Sequence, residues 1–132
     1  IMHYLSNELR LDKRPNLVKV FANLAKKFDG CYNITFINAE GEIVVARDPY
    51  GFRPLVYGYN ESEKAFMAAS ESNALLNCGI KDIKPLQPGH LIHIHNDKIE
   101  IKKFAESAIP HSKGGGLTGQ LPRREFWNDI EN

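Results

Sequence analysis

Residues 45–58 read VARDPYGFRPLVYG. An apolar run is interrupted by Arg47-Asp48-Pro49-Tyr50-Gly51 and resumes after Arg53. Asp at the first position, Pro at the second and Gly at the fourth fit a type I turn: the carboxylate takes up backbone N–H groups and Pro presets φ. The stretch therefore predicts two strands joined at a sharp corner. The simplest role for Arg47 and Arg53 is as ion-pairing supports of that corner. Two arginines could instead hold an anion, but nothing in the spacing demands one.

Upstream of the corner, Tyr32, Ile34 and Phe36 alternate, which is a strand pattern. Asn38-Ala39-Glu40-Gly41 is a turn, so residues 31–37 and 42–47 predict a hairpin. Before it, Leu17, Val20, Phe21, Leu24 and Phe28 fall on one helical face. Pro15 suits that helix's start, Lys26 and Lys27 its negative end, and Gly30 a left-handed stop. Residues 1–10 predict a first helix through Ile1, Leu5 and Leu9. No capping residue precedes it and the chain starts at Ile1, so it reads as an excerpt of a longer protein.

Downstream, residues 54–59 and 65–69 predict two strands around a turn at 60–64. Ser70 is placed to cap a short helix over 71–77, ended by Gly79. Leu86-Gln87-Pro88-Gly89 is a tight turn, and residues 90–95 and 98–104 predict a last hairpin around Asn96-Asp97. This is a meander of antiparallel strands with two or three helices. No strand–helix alternation of the parallel type is present, so the fold class is α+β. Residues 1–110 form the expected domain. Residues 111–132, with Gly114, Gly115 and Gly116, read as a flexible linker and tail.

Composition narrows the function classes. A chain of 132 residues, 42% apolar and 25% charged, suits one globular domain. A net charge of +1 without single-sign blocks gives no electrostatic case for nucleic acid or an acidic membrane. No apolar run approaches the length that spans a bilayer, and no secretory h-region is present. Cys31 and Cys78 are therefore expected as reduced, buried thiols of a cytoplasmic protein.

Few residues suggest chemistry unaided. His93 and His95 share a strand face and could begin a zinc site, but they lack a further ligand. His90 points the other way and Cys78 has no fixed relation to them, so a solvated edge face is expected and no metal. The glycine run lacks the Lys-Ser or Lys-Thr of a phosphate loop. Cys31 reads as packing rather than as a nucleophile.

Four stretches, in order, resemble the class II glutamine amidotransferases, whose glutaminase domains use an N-terminal nucleophile. Phe28-Asp29-Gly30-Cys31-Tyr32 is similar to the family's entry to a strand. Ala46-Arg47-Asp48-Pro49-Tyr50-Gly51-Phe52-Arg53-Pro54-Leu55 is similar to its Arg-Asp-Pro-x-Gly-x-Arg-Pro-Leu. Ala69-Ser70-Glu71-Ser72-Asn73-Ala74-Leu75 resembles its Ala-Ser-Glu-Ser-x-Ala-Leu. Lys84-Pro85-Leu86-Gln87-Pro88-Gly89-His90 resembles its Pro-Gly-Glu turn. Within the family the wording is most similar to the amidophosphoribosyltransferase branch. Asparagine synthetase, glucosamine-phosphate synthase and glutamate synthase remain open as relatives. So does a non-catalytic scaffold or regulatory domain.

The resemblance implies a four-layer αββα sandwich. It implies that glutamine is hydrolysed and its ammonia passed to phosphoribosyl pyrophosphate in purine synthesis. The nucleophile in such domains is a processed N-terminal Cys, activated by its own α-amino group and served by an oxyanion hole. That Cys, the glutamine-binding Arg, the oxyanion Asn-Gly pair and the substrate-binding Asp belong to family segments upstream of the present Ile1. The resemblance thus assigns no catalytic residue here and implies that this chain alone is inactive. It places Arg47, Asp48, Tyr50, Gly51, Arg53, Ser70, Glu71 and Ser72 near a glutamine pocket as support. No cofactor is expected. The expected partners are glutamine, through the missing half of the domain, and either a second copy or a complementary chain.

Overall fold

A computed structural model describes residues 1–108. The expected linker and tail at 111–132 lie outside the described residues. Two compact units form, one from Ile1–Arg53 with Gln87–Ala108 and one from Pro54–Leu86.

The first unit holds α1 (Met2–Arg10), α2 (Leu17–Lys27), β1 (Asn33–Ile37), β2 (Ile43–Arg47), β6 (His90–His95) and β7 (Lys98–Lys103). The second holds β3 (Val56–Asn60), β4 (Ala65–Ala69), α3 (Ser72–Asn77) and β5 (Ile83–Pro85). All strand pairs are antiparallel, so the α+β expectation holds. The simple meander does not. The sheets run β1-β2-β6-β7 and β4-β3-β5, so β2 pairs with a strand more than forty residues later in the chain.

In the first unit, Asn16 caps α2 by accepting the N–H of Lys19 at 3.2 Å. Leu17, Val20, Phe21 and Leu24 then face the sheet. They pack on Tyr32, Val44, Ala46 and Leu91, with Leu5 of α1 and partly buried Ile34 and Phe36 joining. Phe21 is fully buried between Phe36 and Phe104, with ring centroids 6.2 and 5.6 Å away. Truncating such a ring costs about 3–5 kcal/mol. Gly30 is not the left-handed stop that was expected. Phe28 already leaves the helix in an extended conformation, and Gly30 has no positive φ.

The second unit closes around Val56, Leu75, Ile80 and Ile83. Its helix is capped by Glu71, not by Ser70 as expected, and without a side-chain bond. Its far end follows the expectation. The N–H groups of Gly79 and Ile80 reach back to the carbonyls of Leu76 and Leu75, each at 3.0 Å, which is a Schellman closure. Strand β5 was not foreseen, because three residues are too few to establish a period.

Candidate functional site

The corner at Asp48 is a hub of backbone hydrogen bonds. Asp48 is fully buried. Its Oδ1 accepts the N–H groups of Tyr50 and Gly51 at 2.8 and 2.9 Å, the expected turn. Its Oδ2 accepts the N–H of Tyr32 at 3.2 Å, which ties in the start of β1. The N–H of Gly89 lies 3.2 and 3.1 Å from the carbonyls of Arg47 and Asp48, bringing in the turn before β6. Three chain segments therefore meet on two consecutive residues.

Arg47 is buried too, and backbone carbonyls take up part of its guanidinium. Its Nε donates to the carbonyl of Arg53 at 3.0 Å and its Nη2 to that of Gly51 at 2.7 Å. The guanidinium thus braces the chain just past the turn through backbone acceptors. Arg53 is exposed and makes no ion pair among the described residues. The corner uses its carbonyl, not its side chain.

Gly51 has φ of 61° and no room. A Cβ there would lie 2.4 Å from Cγ of Pro88. Gly89 is as tight, since a Cβ would come within 2.3 Å of the Ala105 carbonyl oxygen. Gly51 lets the corner pack against the Pro88 ring, and Gly89 lets its turn approach the Ala105 backbone.

Tyr50 lies at the rim of the corner. Its hydroxyl donates to Asp29, and its ring stacks on exposed Phe52 at 5.8 Å. The hydrogen bond to Asp29 and the charge of that carboxylate raise the phenol above its ordinary range. Tyr50 also lines a groove of about 570 Å³ with Phe28, Asp29, Pro49 and Phe104. Arg47, Asp48, Gly51 and Arg53 do not line it. Ser70, Glu71 and Ser72 belong to the second unit, at the start of α3, where Ser70 and Glu71 are exposed and Ser72 is half-buried.

Tyr32 shows what burial beside the hub does to a phenol. Burial, and then the charge of Asp48, push its phenol up to about 12. Its hydroxyl is buried without a hydrogen-bond partner among the described residues.

The histidine pair behaves differently from a solvated edge face. β6 is an interior strand. His93 Nε2 lies 3.1 Å and His95 Nδ1 3.8 Å from Oε1 of Glu42, whose Oε2 accepts from Asn38 at 2.6 Å. Burial works to raise the Glu42 carboxyl. The hydrogen bonds from Asn38 and His93 and the charges of both histidines outweigh it, and the group sits below its ordinary range. The reading of the sequence did not single out Glu42, since its partners stand 51 and 53 positions away. Among the described residues no group of three or more ligating side chains could hold a metal ion.

Both thiols are free and exposed, which corrects the expected burial. Cys31 precedes β1 rather than starting it, so the strand's alternation does not carry it inward. Cys78 is the C-cap of α3, where the chain turns out toward Gly79.

The sequence pattern of the glutamine amidotransferase domain matches residues 9–77, just over half of the chain. The amidophosphoribosyltransferase of Methanothermobacter thermautotrophicus is 29% identical over 98 residues, covering 74% of this chain and 20% of the relative. That of Synechocystis is 38% identical over 80 residues, covering 60% and 16%. Among solved structures, the glutamine phosphoribosylpyrophosphate amidotransferase from B. subtilis, complexed with ADP and GMP, superposes with a TM-score of 0.64 at 25% identity. That match covers 76% of this chain and 22% of the other. The chain thus spans about a fifth of the length of these relatives. The corner at Asp48 and the hairpin leading into it fall inside the matched stretch. The chain belongs to the glutamine amidotransferase domain family.

Proposed function

We propose that this chain supplies the structural frame of a glutaminase domain, residues 1–110, within an enzyme that hydrolyses glutamine and passes the ammonia to phosphoribosyl pyrophosphate. The family match over residues 9–77 carries the reading. The acceptor follows the names of the curated relatives, which are amidophosphoribosyltransferases. In this reading Asp48, Arg47 and Gly51 hold the corner, and Tyr50 faces the adjoining groove. Ser70, Glu71 and Ser72 are assigned a supporting role by the family resemblance of their stretch. None of them attacks glutamine.

The frame alone does not turn over. An acyl-transfer nucleophile needs a base within hydrogen-bond reach. Among the described residues, neither Cys31 nor Cys78 has a hydrogen bond to a histidine or carboxylate.

A chimera tests the assignment as a glutaminase frame. The matching segment of the Synechocystis enzyme is replaced by residues 1–108 of this chain. Glutamine-dependent transfer of ammonia to phosphoribosyl pyrophosphate is then followed. Retained transfer supports the proposal. A folded chimera that has lost glutamine-dependent transfer while the untouched enzyme retains it argues against it.

A further inference from the structure

The interior strand β6 carries His93 and His95 on the same face as its buried Leu91. The two rings stack, with centroids 6.2 Å apart and planes 11° from parallel. Glu42, at the end of the turn after β1, reaches both of them. Its Oε1 lies 3.1 Å from Nε2 of His93 and 3.8 Å from Nδ1 of His95. The first contact is a hydrogen bond in which the ring nitrogen donates to the carboxylate. The second is too long for one, so His95 acts on Glu42 through charge.

The same carboxylate is tied into the turn. Its Oε2 accepts from Nδ2 of Asn38 at 2.6 Å. Asn38 Oδ1 accepts the N–H groups of Glu40 and Glu42 at 3.1 and 2.9 Å. The Asn38 N–H donates to the Glu42 carbonyl at 3.1 Å. Glu42 therefore joins a local turn to a residue 51 positions away. From β7, Glu100 stands opposite His93 and Lys98 opposite His95. Glu100 is held by Lys98 and Lys102, at 2.9 and 3.0 Å. From β2, His93 faces apolar Val44. Among the described residues, the charges that act on Glu42 are those of His93 and His95.

We propose that Glu42, His93 and His95 form a proton-operated clasp, which holds the Asn38–Glu42 turn more tightly to β6 when the imidazoles are charged. Imidazole is the side chain that ordinarily gains its charge between about pH 8 and 5. Neutral His93 already donates to Glu42. A proton on either ring adds charge attraction to that hydrogen bond, in a half-buried place where salt screens less than at an exposed pair. Two charged rings in a stack repel one another, and the carboxylate they share offsets that repulsion. In stronger acid the sign reverses. The Glu42 carboxyl sits below its ordinary range, and its contribution is lost as pH falls through its own titration. The turn is therefore held most firmly in mildly acidic solution and less firmly on either side.

Amide hydrogen exchange of the 132-residue chain, with each rate divided by the intrinsic rate at the same pH, tests this. The Asn38 and Glu42 amides should gain protection by about threefold or more between about pH 8 and 5.5. The gain should be lost again below the ordinary carboxyl value of 4.5. The Gly79 and Ile80 amides of the second unit, which close α3, should not share it. Glu42→Gln keeps an acceptor for His93 without the charge, and should leave the turn amides flat across the same range. If Glu42→Gln does not fold, His93→Gln, which keeps a donor toward Glu42, decides by losing most of the gain. Wild-type turn amides that gain nothing overturn the proposal. So does a gain that the variant retains, or one that Gly79 and Ile80 show equally.

Discussion

Tyr32 and Asp48 bond to each other twice. The Tyr32 N–H donates to the Asp48 carboxylate at 3.2 Å, and the Asp48 N–H donates to the Tyr32 carbonyl at 3.1 Å. The start of β1 is thereby fixed to the corner that ends β2. Removing the carboxylate leaves the N–H groups of Tyr32, Tyr50 and Gly51 without their acceptor in a buried place. Asp48→Ala should cost about 3 kcal/mol, and Asp48→Asn, which keeps one acceptor oxygen, less. Urea melts check the order. Equal melts for Asp48→Ala and wild type would contradict the hub.

Gly51 and Arg53 separate backbone from charge. Gly51→Val must take a left-handed conformation and enter the space of Pro88, so a loss of about 3 kcal/mol or more is expected. Arg53→Ala removes an exposed side chain while leaving the carbonyl that Arg47 uses, and should stay within about 0.5 kcal/mol. Denaturant melts of both variants at neutral pH give the comparison. The reverse order would mean that charge holds the corner.

The Tyr32 phenol predicts an alkaline limb. Its native pKa stands near 12 against an ordinary 10.0. For a raised pKa, the contribution is full below the ordinary value and is lost as pH climbs through the native one. Stability should therefore fall between about pH 10 and 12, and Tyr32→Phe should flatten that fall. Because the hydroxyl has no partner among the described residues, Tyr32→Phe should be nearly neutral at pH 7, within about 0.5 kcal/mol. Melts of the two proteins at pH 7, 10 and 12 test both statements.

The acid side has the opposite sign. Hydrogen bonds from Lys98 and then Lys102 lower Glu100 from 4.5 to about 2. A lowered carboxyl contributes above its ordinary value and loses that contribution as pH drops through the native one. Part of the stability should fade between about pH 4.5 and 2, and Glu100→Gln should lessen the fade. NMR titration of the Glu100 side chain would show the lowered midpoint directly.

Exposed thiols react. Cys31 and Cys78 should both titrate with a disulfide reagent in the native protein, without denaturant. Protection of either until unfolding would restore the expected burial.

Local signals in the sequence reached local structure. The Asp-Pro-x-Gly order reported the turn that Asp48 makes. The Asn96-Asp97 pair reported a hairpin whose two central residues have positive φ. Alternation at Tyr32, Ile34 and Phe36 reported the buried side of β1. What escaped was set at long range. Nothing near Glu42 announces His93, and the turn at Pro88 and Gly89 gives no sign that it closes on Arg47. Ser70 was a fair cap by type, but the chain enters α3 one residue later. The charge of Arg47 gives no sign of the two backbone carbonyls, of Gly51 and Arg53, to which its guanidinium donates. Among the candidate site residues, the sequence thus located the corner but not what each side chain there does.

Ammonia release from glutamine, measured on the isolated chain and on the chimera carrying residues 1–108, tests the division of labour between frame and chemistry. The isolated chain should release none above the buffer rate, while the chimera releases ammonia and loses that release on Asp48→Ala. Turnover by the isolated chain, abolished by Cys31→Ala or Cys78→Ala, would contradict the claim that this chain is frame and not catalyst.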